Sequence, residues 1–491
     1  MSNSSVTLAA IDLGASSGRV IVGQLAGGRL DLTEVHRFGH EPQQVGSTLR
    51  WDWATLLAGV HAGLREATER FGPPAAVSCD SWAVDFGLLD AAGKLLEPPA
   101  CYRDQRTNGM PQSFSDIIPP DDLVARVGAM ALPIITLCQL RYMAQYELDT
   151  LTQARSLLHI SDLIHQDLTG VAATDRTMAT ASGLRSLAGD DWDRDLLQSL
   201  GIPTHFLPSC LDHPAILGTI PADRAPHPDL AGLPVISTAG HDTAAASVVS
   251  PREDHVFLSC GTWSMLGTLS AQPVVTPTMA TDMLESIGAG NGGWLLMCPL
   301  TGLWPLQQCM LQWRKSGEAD SWGELIAAAG AITGPISTLV DVGHPLITGP
   351  GDMIAAIANY CSRTGQTAPS SAPEMTRVLL QSLALEHFLG VESQQRTTGR
   401  QFTAMRLVGG GSANALLCQW TADAIGLPVI AGPMEATALG NMLLQAQVLG
   451  LIGDDVSGIV EASAPAMVYQ PQAAPDAGLV ARYRDLKEKQ A

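Results

Sequence analysis

The sequence predicts an α/β protein with two domains of similar size. Its 491 residues exceed what one ordinary hydrophobic core covers. Apolar strand-like runs alternate with amphipathic helical stretches in both halves of the chain, which is typical of α/β architecture. A strand–turn–strand pattern at residues 9–25 also recurs at residues 255–268. We therefore expect an N-terminal domain over residues 1–245 and a C-terminal domain over residues 246–491.

Composition excludes several classes of protein. The formal net charge of −20 would repel a polyphosphate backbone, so no nucleic-acid partner is predicted. No run of about 18 apolar residues occurs, so no membrane partner is predicted either. The N-terminus MSNSSVTLAA lacks a cationic segment before an apolar one, which favours a cytoplasmic location. The nine cysteines are scattered without a CxxC pair, and we expect reduced, mostly buried thiols.

The first turn lies within AAIDLGASSGRVIVGQL, where Asp12 comes near the end of an apolar strand. The stretch after the turn is β-branched and predicts a second strand rather than a helix. Neither GxxxxGK[ST] nor GxGxxG is present, so a P-loop and a dinucleotide motif are excluded. Small side chains, hydroxyls and backbone N–H groups suit a phosphate, and Asp12 suits a hydrated Mg²⁺. A plain Gly/Ser hairpin turn is the alternative.

The second copy, HVFLSCGTWSMLGT, repeats this pattern around Cys260, Gly261 and Thr262. Just before it, the segment LPVISTAGHDTAAAS predicts a strand ending at about Thr238 and a helix beginning at the AAAS run. Asp242 would then lie near a helix N-terminus, where a carboxylate stays ionised. It either serves a ligand at the strand end or merely caps the helix.

Other segments predict the rest of the α/β pattern. Asp52 is expected to cap a helix over WATLLAGVHAGLREATER, and AAVSCDSWAVDFGLLD to form two strands around Asp80 to Trp82 with Asp85 on the second. The loop CYRDQRT can hold a polyol or form surface ion pairs. Residues 212–234 are expected to be a loop-rich connection.

A triple glycine lies in AMRLVGGGSANALLCQWTADAIGLPVI, between a predicted strand and a predicted helix. Strand, glycine turn, helix and strand in this order are typical of a parallel unit whose loop holds a ligand. Gly409, Gly410 and Gly411 have no side chains that would block a ring or a ribose. Such a turn can also simply end a strand.

Seven segments together carry a resemblance to a known family. In this order the chain contains AIDLGASSGRV, CDSWAVDFGLLD, YRDQRTNGM, AGHDTAAASV, SCGTWSMLG, TGLWPLQ and LVGGGSANALLCQW. In these segments it resembles the FGGY family of carbohydrate kinases, and within that family the rhamnulokinase branch. The resemblance covers nearly the whole chain. It implies an actin-like ATPase fold, related to ribonuclease H, with two domains around a central cleft that closes over ATP and sugar.

The resemblance also implies roles for individual residues. Asp12 is expected to hold Mg²⁺ through water, Thr262 to contact the transferred phosphate and Gln307 to line the nucleotide site. The residues expected to bind the nucleotide are Ala15, Ser16, Ser17, Gly18, Arg19, Thr262, Gln307, Gly410 and Gly411.

Asp242 matches the catalytic base of the family, and the residues expected at the sugar are Trp82, Ala83, Arg103, His241, Asp242 and Thr243. The implied reaction is ATP-dependent phosphorylation of L-rhamnulose at its primary hydroxyl. Two departures from the rhamnulokinase pattern, Ala83 where Gly is usual and Pro299 where Asn is usual, leave L-fuculose or another ketose open. A non-kinase ATPase of the same fold is the alternative from another class, and the sequence leaves monomer or homodimer open.

Overall fold

The computed structural model describes residues 5–250, 252–349 and 351–488. The chain divides into two compact units, each made of three segments. Unit 1 comprises Met1–Pro251, Leu269–Leu296 and Ala436–Pro465. Unit 2 comprises Arg252–Thr268, Met297–Glu435 and Ala466–Ala491.

The part of the chain before residue 251 contains both strands and helices. Its strands are β1 (Val6–Leu13), β2 (Ser17–Ala26), β3 (Arg29–Gly39), β4 (Pro42–Val45), β5 (Thr48–Trp51), β6 (Val77–Ser81), β7 (Phe86–Leu89), β8 (Ser156–His159), β9 (Ala173–Asp175), β10 (Ser209–Leu211), β11 (Ala215–Thr219) and β12 (Pro234–Ser237). Its helices are α1 (Trp53–Phe71), α2 (Pro120–Val127), α3 (Thr136–Tyr146), α4 (Leu148–Gln153), α5 (Ile160–Thr169), α6 (Arg176–Ala181), α7 (Arg194–Ser199) and α8 (Asp242–Ser247).

A six-stranded mixed sheet forms the centre of unit 1, in the order β11-β12-β6-β1-β2-β3. β1 and β2 form the predicted antiparallel hairpin, whereas β1 and β6 pair in parallel. Helix α1 covers this sheet with its buried face of Leu56, Val60 and Leu64. Its predicted cap is confirmed, because the Thr55 N–H donates to Asp52 Oδ1 at 3.1 Å.

The remaining elements follow the second hairpin. The strands are β13 (His255–Cys260), β14 (Trp263–Ser270), β15 (Glu285–Gly288), β16 (Trp294–Thr301), β17 (Ala404–Val408), β18 (Val429–Ala431) and β19 (Met467–Tyr469). The helices are α9 (Trp304–Ser316), α10 (Trp322–Ala331), α11 (Pro345–Thr348), α12 (Met353–Arg363), α13 (Ala372–Thr398), α14 (Ala415–Ile425), α15 (Ala436–Val448), α16 (Ser457–Ser463) and α17 (Ala477–Glu488).

Unit 2 has its own mixed sheet, in which the strands follow the order β16-β14-β13-β17-β18-β19. β13 and β14 form the predicted second hairpin, and β13, β17 and β18 run in parallel. The predicted strand, glycine turn, helix and strand are confirmed as β17, a turn, α14 and β18.

Three local predictions differ from the structure. The segment predicted to be a loop-rich connection contains β11, which forms the edge of the sheet in unit 1. Asp80 belongs to β6 itself, and Asp85 precedes β7 instead of lying on it. Helix α8 begins at Asp242 and not at the alanine run, with His241 in the cap position. Within the described residues, no helix is both long and apolar enough to cross a bilayer.

Candidate active site

Neighbouring strands of unit 1 bring three carboxylates to one end of its sheet. Asp12 on β1 lies directly opposite Asp80 on β6 in the parallel register. One residue further on, Ser81 forms a parallel bridge with His241, which follows β12 and precedes Asp242. Because carboxyl ends of parallel strands share one edge of a sheet, this is a common place for a ligand.

Asp242 is the most accessible of the three carboxylates, with 34% of its side-chain surface exposed. Its Oδ1 accepts hydrogen bonds from the Thr243 N–H at 2.5 Å and the Thr243 hydroxyl at 3.2 Å. Loss of bulk hydration raises the pKa of Asp242 to about 6, although both bonds from Thr243 act to lower it. The carboxylate is therefore ionised at pH 7, with a basicity suited to proton transfer.

The neighbouring His241 is buried, and its Nε2 lies 3.5 Å from Asp242 Oδ1. Burial lowers the pKa of His241 to about 4, so the imidazole is neutral at pH 7. Its Nδ1 is buried without a hydrogen-bond partner among the described residues. This side chain can therefore offer a polar atom to a ligand without adding charge beside Asp242.

The Gly240–His241 backbone is fixed by residues from β9 and α6. The Gly240 N–H donates to Asp175 Oδ2 at 3.0 Å, and the His241 N–H to Thr177 Oγ1 at 3.1 Å. A Cβ at Gly240 would collide with that same Asp175 oxygen, so this position requires glycine. Neither Asp175 nor Thr177 was predicted from the sequence, because no local pattern links them to a loop 65 residues later.

Asp12 is nearly fully buried, and its carboxylate is paired with the Arg19 guanidinium across the first hairpin. Burial raises the pKa of Asp12, and the neighbouring Arg19 opposes that rise. Arg19, which was expected along the nucleotide phosphates, thus also neutralises Asp12.

Asp80 has no exposed surface. Its Oδ2 accepts from Asn441 Nδ2 at 2.6 Å, and Gln445 Nε2 donates to Asn441 Oδ1 at 2.8 Å. Its Oδ1 has no partner among the described residues. Burial and the nearby Asp12 raise the pKa of Asp80 well above its ordinary value. The sequence places Asp80 between two predicted strands but assigns it no role. Its contact with Asn441 could not be predicted, because the two residues are 361 positions apart.

The first turn, Gly14 to Ser16, is closed by the Gly14 N–H donating to the Ser17 carbonyl at 3.0 Å. Ser16 is exposed, whereas Ala15 and Ser17 are half-buried. A Cβ at Gly18 would collide with the Phe38 ring, so packing alone already requires glycine there. The exposed part of the turn still presents small polar groups.

Of the residues expected at the sugar, Trp82 is only 6% exposed. Its indole N–H donates to Asp85 Oδ2 at 3.0 Å, and Trp51 donates to the same oxygen at 2.7 Å. Ala83 is half-buried, and Arg103 is exposed with its guanidinium 5.0 Å from the Tyr102 ring. The buried Trp82 indole is therefore held by Asp85, while Ala83 and Arg103 keep exposed surface.

The residues of unit 2 expected at the nucleotide form a second group. Thr262 is exposed at the turn of the β13–β14 hairpin, and its hydroxyl donates to Gln307 Oε1 at 3.1 Å. A Cβ at Gly411 would lie 2.5 Å from Cys260 Sγ, so the triple-glycine turn packs closely against the end of β13. Gly410 is exposed, and apart from its chain neighbours no described residue has an atom within 4 Å of where its Cβ would lie. The structure therefore brings these residues together around one turn.

Comparison with known proteins identifies the family. The N-terminal domain model of the FGGY family of carbohydrate kinases matches residues 7–249, and the C-terminal domain model matches residues 256–448. The rhamnulokinase of Bacteroides thetaiotaomicron is 34% identical over 468 residues, which cover 94% of this chain and 95% of that protein. The rhamnulokinase of Enterococcus faecalis is 33% identical over 471 residues, 94% of each chain.

Solved structures show the same fold. A gluconate kinase from Lactobacillus acidophilus aligns with a TM-score of 0.80 and 20% identity, over 99% of this chain and 97% of that one. A glycerol kinase from Plasmodium falciparum, solved with ADP, aligns with a TM-score of 0.80 and 15% identity over 100% and 98% of the two chains. The predicted actin-like α/β fold is confirmed by this similarity. The chain is a phosphotransferase that acts on a sugar, and it belongs to the FGGY family of carbohydrate kinases.

Proposed function

We propose that this sugar kinase transfers the terminal phosphoryl group of ATP to the primary hydroxyl of L-rhamnulose, giving L-rhamnulose 1-phosphate. The relatives named rhamnulokinase support this substrate, because they align over 94% of the chain at 33–34% identity. In this proposal residues 1–245 supply the sugar site and the first phosphate hairpin. Residues 246–491 supply the second hairpin and the adenosine site.

The observation that carries the proposal is the environment of the Asp242 carboxylate. Thr243 occupies its Oδ1, whereas its Oδ2 has no hydrogen-bond partner among the described residues. An exposed carboxylate with a pKa of about 6 can take the proton of a sugar hydroxyl while the oxygen of that hydroxyl attacks phosphorus. Asp242 is therefore our proposed general base.

Two features of the loop support this role. The bonds from Gly240 and His241 to Asp175 and Thr177 fix the backbone that carries the base, which reduces the cost of orienting it. The neutral His241 can hydrogen-bond a sugar hydroxyl without pairing with Asp242 as a cation. Thr243 and Ala83 complete the residues we propose at the sugar, together with the exposed Arg103.

The carboxylates fit a hydrated divalent cation. Asp12 and Asp80 lie in register on adjacent strands, and the buried Asp80 Oδ1 lacks a partner. Among the described residues, no three His, Cys, Asp or Glu side chains are placed to bind a metal directly. We therefore propose that Asp12, next to Asp80, holds Mg²⁺ through its water shell, as suits this ion. When bound, Mg²⁺ neutralises charge on the ATP phosphates.

For the nucleotide, we propose two groups of residues. The exposed turn around Ser16 supplies N–H and hydroxyl donors to the phosphates, and Arg19 holds Asp12 in place beside them. In unit 2, Thr262 and Gln307 form one hydrogen-bonded pair near the transferred phosphate. Gly410, which has open space around it, is proposed to lie under the adenosine with Gly411.

An ADP-release assay over L-rhamnulose, L-fuculose, L-ribulose, D-xylulose, glycerol and gluconate tests the substrate, with the product identified by phosphorus NMR. We expect the highest kcat/KM for L-rhamnulose and phosphorylation at C1. The variant Asp242→Asn should lower kcat by about 100-fold or more, while the affinity for ATP changes little. Asp149→Asn, an exposed substitution on α4, is the matched control. Near-normal turnover in Asp242→Asn would exclude the proposed base.

A further inference from the structure

The turn after β6 has an unusual backbone conformation at Val84, whose φ is +75°. The Asp85 N–H donates to the Ala83 carbonyl at 3.0 Å and closes a three-residue turn. Such a γ-turn with positive φ is rare, and a β-branched residue is strained in it. Strained conformations persist only where surrounding groups hold them, and they cluster at binding sites.

Two side chains of helix α3 hold this turn. The Thr136 hydroxyl donates to the Val84 carbonyl at 2.8 Å, and Gln139 Nε2 donates to the same carbonyl at 3.1 Å. Gln139 Nε2 also lies 3.1 Å from Asp85 Oδ1, and Gln139 Oε1 accepts from Arg106 at 3.0 Å. Thr136 and Gln139 are almost fully buried, so they do not contact a ligand themselves.

The turn lies beside the loop of the proposed base. It starts two residues after Ser81, whose N–H donates to the Gly240 carbonyl at 2.8 Å. Ala83 and Val84 are half-buried, and their backbone N–H groups have no partner within the described parts of the chain. Two adjacent free N–H groups next to His241 are suitable donors for the hydroxyls of a sugar.

We infer that Thr136 and Gln139 are positioning residues for sugar recognition, which hold the Ala83–Val84–Asp85 turn in the conformation that leaves its N–H groups free for substrate hydroxyls. This inference rests on the proposed function, since it assigns the turn to the sugar site. A merely structural role for the two side chains predicts lower stability with unchanged recognition.

Thr136→Val tests the inference, because it removes the hydroxyl and keeps the shape. We expect KM for the best sugar, and its Kd measured by calorimetry without nucleotide, to rise about tenfold, as for the loss of one buried hydrogen bond. KM for ATP should stay within about twofold of the wild-type value. Thr136→Ser keeps the donor and should restore the sugar affinity.

Thr68→Val is the matched control, because Thr68 is also buried and its hydroxyl also donates to a backbone carbonyl, that of Leu64 on helix α1. It should lower the melting temperature and leave both KM values unchanged. Equal sugar affinity in Thr136→Val and Thr68→Val would overturn the inference. An equal rise of KM for ATP and sugar in Thr136→Val would also overturn it.

A double-mutant cycle with Val84→Gly measures whether Thr136 affects sugar Kd through the conformation of Val84. A merely structural role of Thr136 predicts no such coupling. Glycine accepts a positive φ without strain, so the turn should depend less on Thr136. We expect the effect of Thr136→Val on sugar Kd to be smaller in the Val84→Gly background, whereas additive effects would contradict the inference.

The wild-type protein separates the two proposals: inactivity toward every sugar refutes the proposed function and this inference with it. An active wild type with an unaffected Thr136→Val refutes the inference alone.

Discussion

The pH dependence of the reaction follows from the environment of Asp242. With its pKa at about 6, the carboxylate is about 90% ionised at pH 7 and about 9% ionised at pH 5. The value of kcat/KM for the sugar should therefore fall about tenfold between pH 7 and pH 5. A carboxylate at its ordinary pKa of 3.8 would lose only about 6% over the same range.

Initial rates at limiting sugar and saturating ATP, measured from pH 4.5 to 8 in overlapping buffers, test this expectation. Thr243→Val is the informative variant, because the Thr243 hydroxyl donates to Asp242 and lowers its pKa. Its loss should move the midpoint to higher pH, since a bond that favours the charged form has been removed.

Asp85 and Asp175 also have pKa values raised to about 6 by burial, and either could produce a similar profile. Thr243 donates to neither, so a shifted midpoint in Thr243→Val assigns the profile to Asp242. His241 stays neutral over this range because burial lowers its pKa to about 4. A wild-type midpoint below pH 5, or an unmoved midpoint in Thr243→Val, would refute the reasoning.

Three further perturbations have defined outcomes. In Asp175→Asn, the new amide NH2 group would face either the Gly240 N–H or the Thr177 N–H, so one of these donors would lose its acceptor. Because the loop that carries Asp242 would then be less well fixed, steady-state kinetics should show kcat at least about tenfold lower with KM for ATP unchanged. Burial raises the pKa of Glu285 to about 7, so its contribution to stability is lost as pH rises from about 4.5 to 7. Glu285→Gln should therefore raise the free energy of unfolding at pH 7.5 by on the order of 2 kcal/mol and flatten its pH dependence in urea titrations. Ala83→Gly removes a methyl that narrows the proposed sugar site, so it should raise the kcat/KM of L-rhamnulose relative to that of the best alternative ketose by about fourfold in the ADP-release assay. An unchanged ratio would show that Ala83 does not contact the sugar.

Local sequence patterns predicted much of the fold, because hairpins and helices depend on neighbouring residues. Both hairpins, helix α1 with its Asp52 cap and the glycine turn before α14 follow from such patterns. Contacts between distant segments could not be predicted in this way. The hydrogen bond from Asn441 to Asp80 and the bond from the Gly240 N–H to Asp175 join residues that no spacing rule relates.

Glycine was the least informative residue type, because the sequence does not distinguish ligand contact from packing. The motif interpretation placed Gly18 and Gly411 at the nucleotide. In the structure, Gly18 faces the Phe38 ring and Gly411 faces Cys260, and each packing contact alone would require glycine. Gly410, by contrast, has open space where its side chain would be. Packing therefore explains why positions 18 and 411 are glycine, but it does not explain the glycine at position 410.

The three carboxylates at the sheet edge of unit 1 are chemically identical, so their surroundings must assign their roles. Asp12 is nearly fully buried and its carboxylate is paired with the Arg19 guanidinium, so it is not open to a sugar hydroxyl. Asp80 has no exposed surface, so it cannot reach a sugar hydroxyl. Asp242 keeps one oxygen without a hydrogen-bond partner among the described residues, and a third of its side-chain surface is exposed. Accessibility, the absence of a cationic partner and a pKa near the working pH coincide at Asp242 and at neither of the other two, which is the physical reason for assigning the base to it.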